Sequence, residues 1–119
     1  MKKFIVEFGL GTDFHGQDVT KAACKAAKDA ISRSCLCGLE DYLQNGSTES
    51  DVVIEARIAV SRPEDVDCVR VAEVFPVGRV SVVPVAGGLT VDGLCIPAFG
   101  DADQSIEAAV AAVTVYINK

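Results

Sequence analysis

Residues 3–31 read KFIVEFGLGTDFHGQDVTKAACKAAKDAI, and the change of period inside this stretch decides the fold. From Lys3 to Leu10 the residues alternate: Phe4, Val6, Phe8 and Leu10 share one side, and Ile5, Glu7 and Gly9 the other. Period two marks a strand. Beyond the glycine-rich turn over residues 9–16 the spacing becomes helical, with Val19, Ala22, Ala23, Ala26, Ala27, Ala30 and Ile31 in one stripe and Lys21, Lys25, Lys28 and Asp29 outside it. Gln17 and Asp18 supply the polar and acidic residues that suit a helix start. The narrow alanine face predicts a helix lying close on a sheet.

Working outward, Asn45-Gly46-Ser47-Thr48 marks residues 38–50 as a surface connection rather than a domain boundary. A second strand is predicted over 51–61, with Val52, Ile54, Ala56, Ile58 and Val60 on one face and Val53, Glu55, Arg57 and Ala59 on the other. Pro63, Glu64 and Asp65 open a short second helix that ends near Phe75-Pro76. A third strand over 79–85 puts Val80 and Val82 opposite Arg79, Ser81 and Val83, after which Gly87-Gly88 permits a sharp bend or a close backbone approach. Residues 89–96 supply one more strand, broken by Asp92-Gly93. A third helix is predicted from Asp101 or Asp103 through Ser105-Ile106-Glu107 to Asn118, apolar nearly all round between Ala108 and Ile117.

The resulting order, β-α-β-α-β-β-α, predicts a two-layer α+β sandwich in which helices cover one face of a mixed sheet. The opposite face then carries Glu7, Glu55, Arg57, Arg79 and Ser81. A helix that is apolar all round needs cover on more than one side, so a closed cyclic homo-oligomer is expected, with a trimer as one form.

The 119 residues suit a single domain. Half of them are hydrophobic and 24% are charged, with no apolar run near the roughly 20 residues that span a bilayer. The net charge of -6 and the absence of tryptophan argue against nucleic-acid binding, which draws on basic residues and stacking aromatics. The apolar stretch after Lys2-Lys3 ends at Glu7 with no small-residue cleavage site, which argues against a secretory signal. Cys24, Cys35, Cys37, Cys68 and Cys95 are odd in number and scattered, as in a reducing compartment, so cytoplasm is expected. Cys35-Leu36-Cys37 lacks the two-residue spacing of redox and zinc pairs, and neither metal nor cofactor is expected.

The strongest local signal for chemistry is the turn from Gly9 to Lys21. Backbone N–H groups and a helix start converge there, a place where an anion can bind, with Gly11, Thr12, Gln17, Thr20 and Lys21 as candidate ligands. Its spacing is neither the dinucleotide fingerprint nor the Walker pattern. A tight turn that needs glycine for its backbone angles explains the same residues. His15, the only histidine, is the candidate proton-transfer group, with Asp13 as its orienter; a solvated loop histidine is the alternative. Glu7, Glu55, Arg57 and Arg79 would concentrate charge on one sheet face, either binding a polar ligand or pairing with one another. Ser81 lies in no nucleophile-elbow pattern, although Arg79 and the Gly87-Gly88 bend are near it in sequence.

The segments GLGTDFHGQDVTKAACKAAKDAI and IAVSRPEDVDCVRVAEVFPVGRVSVVPVAGGLTV resemble the Lin hypothetical-protein family, in which the G-x-G-x-D-x-H-G turn, T-K-A-A, R-P-E-D-V-D and G-G-L occur in this order. The resemblance covers most of the chain and implies no activity. The second segment is also similar to one repeat of the cyanuric acid amidohydrolase and barbiturase family, which implies a lysine-activated serine and substrate-gripping arginines; here Ala86 precedes Gly87-Gly88 where a Ser-Gly-Gly motif would stand. The strand, turn and helix opening resembles trimeric chorismate-mutase-like domains, which implies sites between subunits.

Two functions are therefore expected. One is binding or turnover of a small polar or anionic metabolite in clefts between subunits, with Lys21 or Arg57 gripping the anion. The other is a structural or regulatory assembly module without chemistry. The partners expected are further copies of the chain and the metabolite, with neither nucleic acid nor membrane.

Overall fold

The structure, a computed structural model, describes residues 1–15, 17–34, 38–44, 46, 51–101 and 103–118. Gly16, the Cys35-Leu36-Cys37 run and most of the Asn45-to-Thr48 connection lie outside the described residues. Its elements are β1 (Lys2–Asp13), α1 (Val19–Ser34), α2 (Leu39–Gln44), β2 (Val52–Val60), α3 (Cys68–Ala72), β3 (Arg79–Ala86), β4 (Leu89–Asp92) and β5 (Ser105–Ile117), with single 3-10 turns at Pro63–Asp65 and Pro97–Phe99.

The five strands form one open sheet in the order β1-β5-β2-β3. β5 runs antiparallel to both neighbours, whereas β2 and β3 are parallel. β4 pairs with residues 105–108 of β5, beyond the end of β2. The chain reaches that position through Gly87 and Gly88. Gly87 N–H donates to the Val60 carbonyl, and at Gly88, with φ of 74°, a Cβ would stand 2.4 Å from the Ala108 carbonyl oxygen. Only glycine tolerates both demands.

Packing follows the period-two sets. Val52, Ile54, Ala56, Ile58 and Val60 of β2 and Ala109, Ala111, Val113, Val115 and Ile117 of β5 are buried beneath the helices. The alanine stripe of α1 meets them as a second layer of small side chains, with Ala22, Ala23, Ala26, Ala27 and Ala30 fully buried. Under this helix β1 has no side chains to spare. A Cβ at Gly9 would lie 2.2 Å from the Ala26 carbonyl oxygen, and one at Gly11 2.2 Å from the Ala26 nitrogen. Val71 of α3 and the half-buried Val80 and Val82 of β3 extend the same core.

Three expectations are corrected, the first being that residues 38–50 are a surface connection: they include α2, whose Leu39 and Tyr42 are buried in the core, which adds a helix to the expected order. The predicted third helix is β5, the strand between β1 and β2. Its alanines mimic a helix, but Val110, Val113, Thr114, Val115 and Ile117 are β-branched and fit a pleated sheet flanked on both sides. Because Ala111, Val113 and Val115 are fully buried within one copy, an all-round apolar helix no longer argues for assembly. Glu7 is also on the other face from Glu55 and Arg57: it pairs with the buried Val113, whereas Arg57 pairs with Ala112. The open face is instead largely apolar at its β1 side, where Val6, Phe8, Leu10 and Val110 are exposed.

The glycine contacts make a direct prediction. Replacing Gly11 by valine should lift α1 from β1 and lower unfolding stability by about 3 kcal/mol, read as a shift of the urea midpoint.

Candidate functional site

The polar residues gather at one end of the sheet, where β1 runs out and β5 begins. Only a few residues separate Asp13 from Val19, so the connecting turn is sharp, and Gln17 adopts a left-handed φ of 48° within it. A non-glycine residue holds that conformation only where its surroundings fix it. Here they do. The buried Gln17 side chain donates to the Ser105 carbonyl at 2.9 Å and to Asp101 Oδ1 at 3.3 Å, and its own carbonyl accepts from Arg62 Nη2.

Asp101 is the centre of the arrangement. Its side chain is fully buried, and Oδ2 accepts from the Ile96 N–H at 2.8 Å and lies 2.7 Å from His15 Nδ1. A carboxylate beside Nδ1 accepts from it, so the neutral imidazole is held as the Nδ1–H tautomer, with the lone pair on Nε2. The imidazole is 38% exposed and rests at the edge of Phe99, with ring centroids 5.0 Å apart. Phe14, Leu94 and Phe99 are exposed nearby in the chain. A fixed tautomer at a partly exposed surface is suited to taking up or donating a proton.

A second polar row crosses the strands at the same end. Asp13 faces Glu107 across β1 and β5, and Thr90 faces Glu107 across β4 and β5. Buried Glu107 accepts from Ser61 Oγ at 2.7 Å and Thr90 Oγ1 at 3.0 Å. Asp13, also buried, accepts from the Asp18 N–H at 2.9 Å.

The sequence candidates therefore separate. His15 and Gln17 come together, but the carboxylate that holds His15 is Asp101, and Asp13 braces the turn instead. Asp18 accepts from the Thr20 and Lys21 N–H groups, so the start of α1 is already capped by an anion of its own. Thr20 is buried and bonded to Asp65 and Asp67, joining α1 to the segment before α3. Lys21 is exposed beside the turn. Thr12 gives its carbonyl to Lys25 Nζ, and Gly11 serves the helix contact. Glu55 and Arg57 form an exposed 3.7 Å pair on the open face. Arg57 pairs with Ala112, five residues along β5 from Glu107, which puts it roughly 16 Å from the polar row. Arg79, level through Val53 with Tyr116 and so four residues further along β5 than Arg57, is more distant still.

Sequence reasoning missed Asp101 as the partner of His15, together with Arg62, Phe99, Ser105 and Glu107. Reading 101–118 as a helix assigned these acids to its first turns. The available signal was the period-two set Glu107, Ala109, Ala111, Val113, Val115, Ile117, which continues as far as any strand in the chain.

Fold and site together define a two-layer α/β domain with an open mixed sheet and a polar cluster at one sheet end. A family model described as "Conserved hypothetical protein (Lin0512_fam)" matches residues 3–115, and the chain belongs to that family. A crystal structure of an FtsZ-like protein of unknown function from Nostoc punctiforme is 37% identical, covers 99% of this chain and 97% of that one, and superposes with a TM-score of 0.85. None of the curated proteins matches. Among the described residues no helix is long and apolar enough to cross a membrane.

Two outcomes test the geometry. Replacing Asp101 by alanine removes the acceptor of three buried or half-buried donors and should lower stability by about 3 kcal/mol in urea unfolding. Asp103 titrates below the usual carboxylate value because the Ser105 hydroxyl, and then its N–H, donate to it. A depressed carboxylate favours the fold above its unfolded pKa and loses that contribution as pH falls through the lower folded one. The Asp103 carboxyl resonance in NMR should thus have its midpoint below 3.8, and a Ser105→Ala change should move that midpoint upward.

Proposed function

We propose that the protein binds, and transfers a proton to or from, a small polar or anionic metabolite at the His15 turn. The observation that supports this most strongly is the 2.7 Å contact between His15 Nδ1 and a carboxylate whose side chain is fully buried. A buried acid is stabilising only where donors satisfy it, and here three donors converge so that the one titratable ring keeps a defined tautomer facing out. In this reading His15 Nε2 is the proton-transfer atom, Asp101 its orienter and Gln17 the strut that holds both loops. Arg62, which donates to the Gln17 carbonyl, and Lys21, which is exposed in the first turn of α1, are cations beside the turn. Arg57 and Arg79 are too far along the sheet to share the ligand, and every residue of the arrangement belongs to one copy.

A non-catalytic assembly module is the second reading, favoured by the exposed Phe8, Leu10 and Val110 on the open sheet face. The two make different demands on His15. Titration with inorganic phosphate and with small di- and tricarboxylates, followed by the His15 ring resonances and the melting temperature, distinguishes them. A binding site should give saturable shifts at His15 and about 2.7 kcal/mol of stabilisation at a hundredfold excess over Kd, both lost on His15→Ala. Stabilisation that persists in the His15→Ala variant, or no response to any of these anions, would remove the proposal.

A further inference from the structure

β1 lies at one edge of the sheet, and only part of that edge is covered. In an antiparallel pair the backbone groups of alternate residues face inward and outward. The outward set here includes Leu10, whose N–H donates to Asp29 Oδ2 at 2.9 Å, and Thr12, whose carbonyl accepts from Lys25 Nζ at 2.9 Å. Both partners come from α1, and they act as a clasp over the second half of the strand. The same alternation turns the N–H and C=O of Val6 and Phe8 outward, and no described residue bonds them. The flanking side chains are exposed as well, Phe8 by 63% and Val6 by 41%. A hollow of about 300 Å³, lined by Phe8, Gly9, Leu10, Arg33 and Val110, opens beside them.

The opposite edge is built differently. β3 carries Pro84, which has no N–H to offer an added strand, a common way of closing an edge. β1 carries no proline between Lys2 and Asp13.

We propose that residues 4–8 of β1 pair antiparallel with the same residues of a second copy, around a two-fold axis at Val6, joining the two sheets into one, with the register irregularity between Lys3 and Ile5 at the end of the paired segment. Charge selects this occupant and this direction. Lys2 and Lys3 stand at one end of the uncovered segment, with Glu7 and Asp29 towards the other. Antiparallel apposition brings the lysines of each copy beside the carboxylates of its partner, whereas parallel apposition would set lysine against lysine. In a chain of net charge -6 this basic pair is a local exception, and a second copy supplies the acids that match it. The isologous contact also sets Val6 opposite Val6 and Phe8 opposite Phe4 across the new strand pair, where apolar neighbours stabilise a sheet.

Sedimentation across concentration, combined with amide hydrogen exchange on the unmodified chain, tests this pairing. A dimer is expected, with the Val6 and Phe8 amides exchanging at least roughly tenfold more slowly as concentration rises. The Leu10 amide, already bonded to Asp29, should not respond. Val6→Pro removes only an outward donor and should give a folded monomer. Lys2→Glu with Lys3→Glu should weaken association at least roughly tenfold, and adding Glu7→Lys should restore part of it. A monomer at hundreds of micromolar would overturn the proposal. So would a dimer whose Phe8 amide ignores concentration, or one that survives Val6→Pro and is lost on Val110→Lys. Should Val6→Pro misfold, the exchange data on the unmodified chain decide.

Discussion

The contact between α1 and β1 sets the rest of the molecule. A helix normally rests on a sheet through two layers of side chains, but at Gly9 and Gly11 one of those layers is missing, so the helix backbone sits directly on the strand. Closeness of this kind is unforgiving, because the nearest atoms are backbone and cannot rotate aside. It also explains why the facing residues of α1 and β5 are alanines: a larger side chain under the helix would tilt it away from β1. The long, thin body, 52 × 22 × 19 Å in extent, is the result of one helix layer drawn tightly over one side of an open sheet.

The same contact positions the polar site. With α1 held down on β1, the turn between them has only a few residues in which to reverse direction. Gln17 absorbs the strain in a left-handed conformation, and the bonds that hold it there run to the segment leading into β5. His15 is thus fixed by two separate parts of the chain, one reached through the turn and one through Asp101. An imidazole tethered only by its own loop would sample several orientations; one bonded to a buried acid does not. The carboxylates of Asp13 and Asp18 are absorbed in building the turn and capping the helix, which leaves the partly exposed imidazole, not the helix start, at the surface of the turn.

Much of the architecture was legible in the residues, and the reason lies in period. β2 alternates without exception, and each of its predicted inward residues is buried. The alanine stripe of α1 was equally plain, as was the glycine pair before β4. The last strand was misread because alanine favours helices in isolation while its neighbours on both flanks decide the outcome in a sheet. A central strand faces packed atoms on all sides, so it loses much of the polar alternation that identifies an outer one. That error moved Glu107 and Asp101 out of view, since a helix reading gave their charges a different purpose. Glu7 was misplaced for a simpler reason. Charge was taken to mark the solvent face, yet Glu7 is half-buried on the helix side of the sheet, opposite the buried Val113.

Covering one face so closely has a consequence for the other. The atoms that hold α1 down come from β1, β5 and β2, and of α1 it is Arg33, at its far end, that stands beside the open-face side chains Phe8, Leu10 and Val110. The apolar residues of that face are concentrated on β1 and the adjoining part of β5, whereas the charged pair Glu55 and Arg57 occupies β2. The asymmetry follows from the small residues beneath the helix: with glycine at alternate positions, β1 can add apolar bulk only on its outer face, as Phe8 and Leu10 do. Those side chains strengthen strand pairing within the sheet, where Phe8 faces Ala112 and Leu10 faces Val110. They also leave the strand with an exposed apolar flank that the helix cannot cover. The ties from Asp29 and Lys25 protect the stretch of edge where α1 is closest, and their reach ends before Phe8. Exposure at this edge is therefore the geometric counterpart of the tight helix contact, and both trace to the same two glycines.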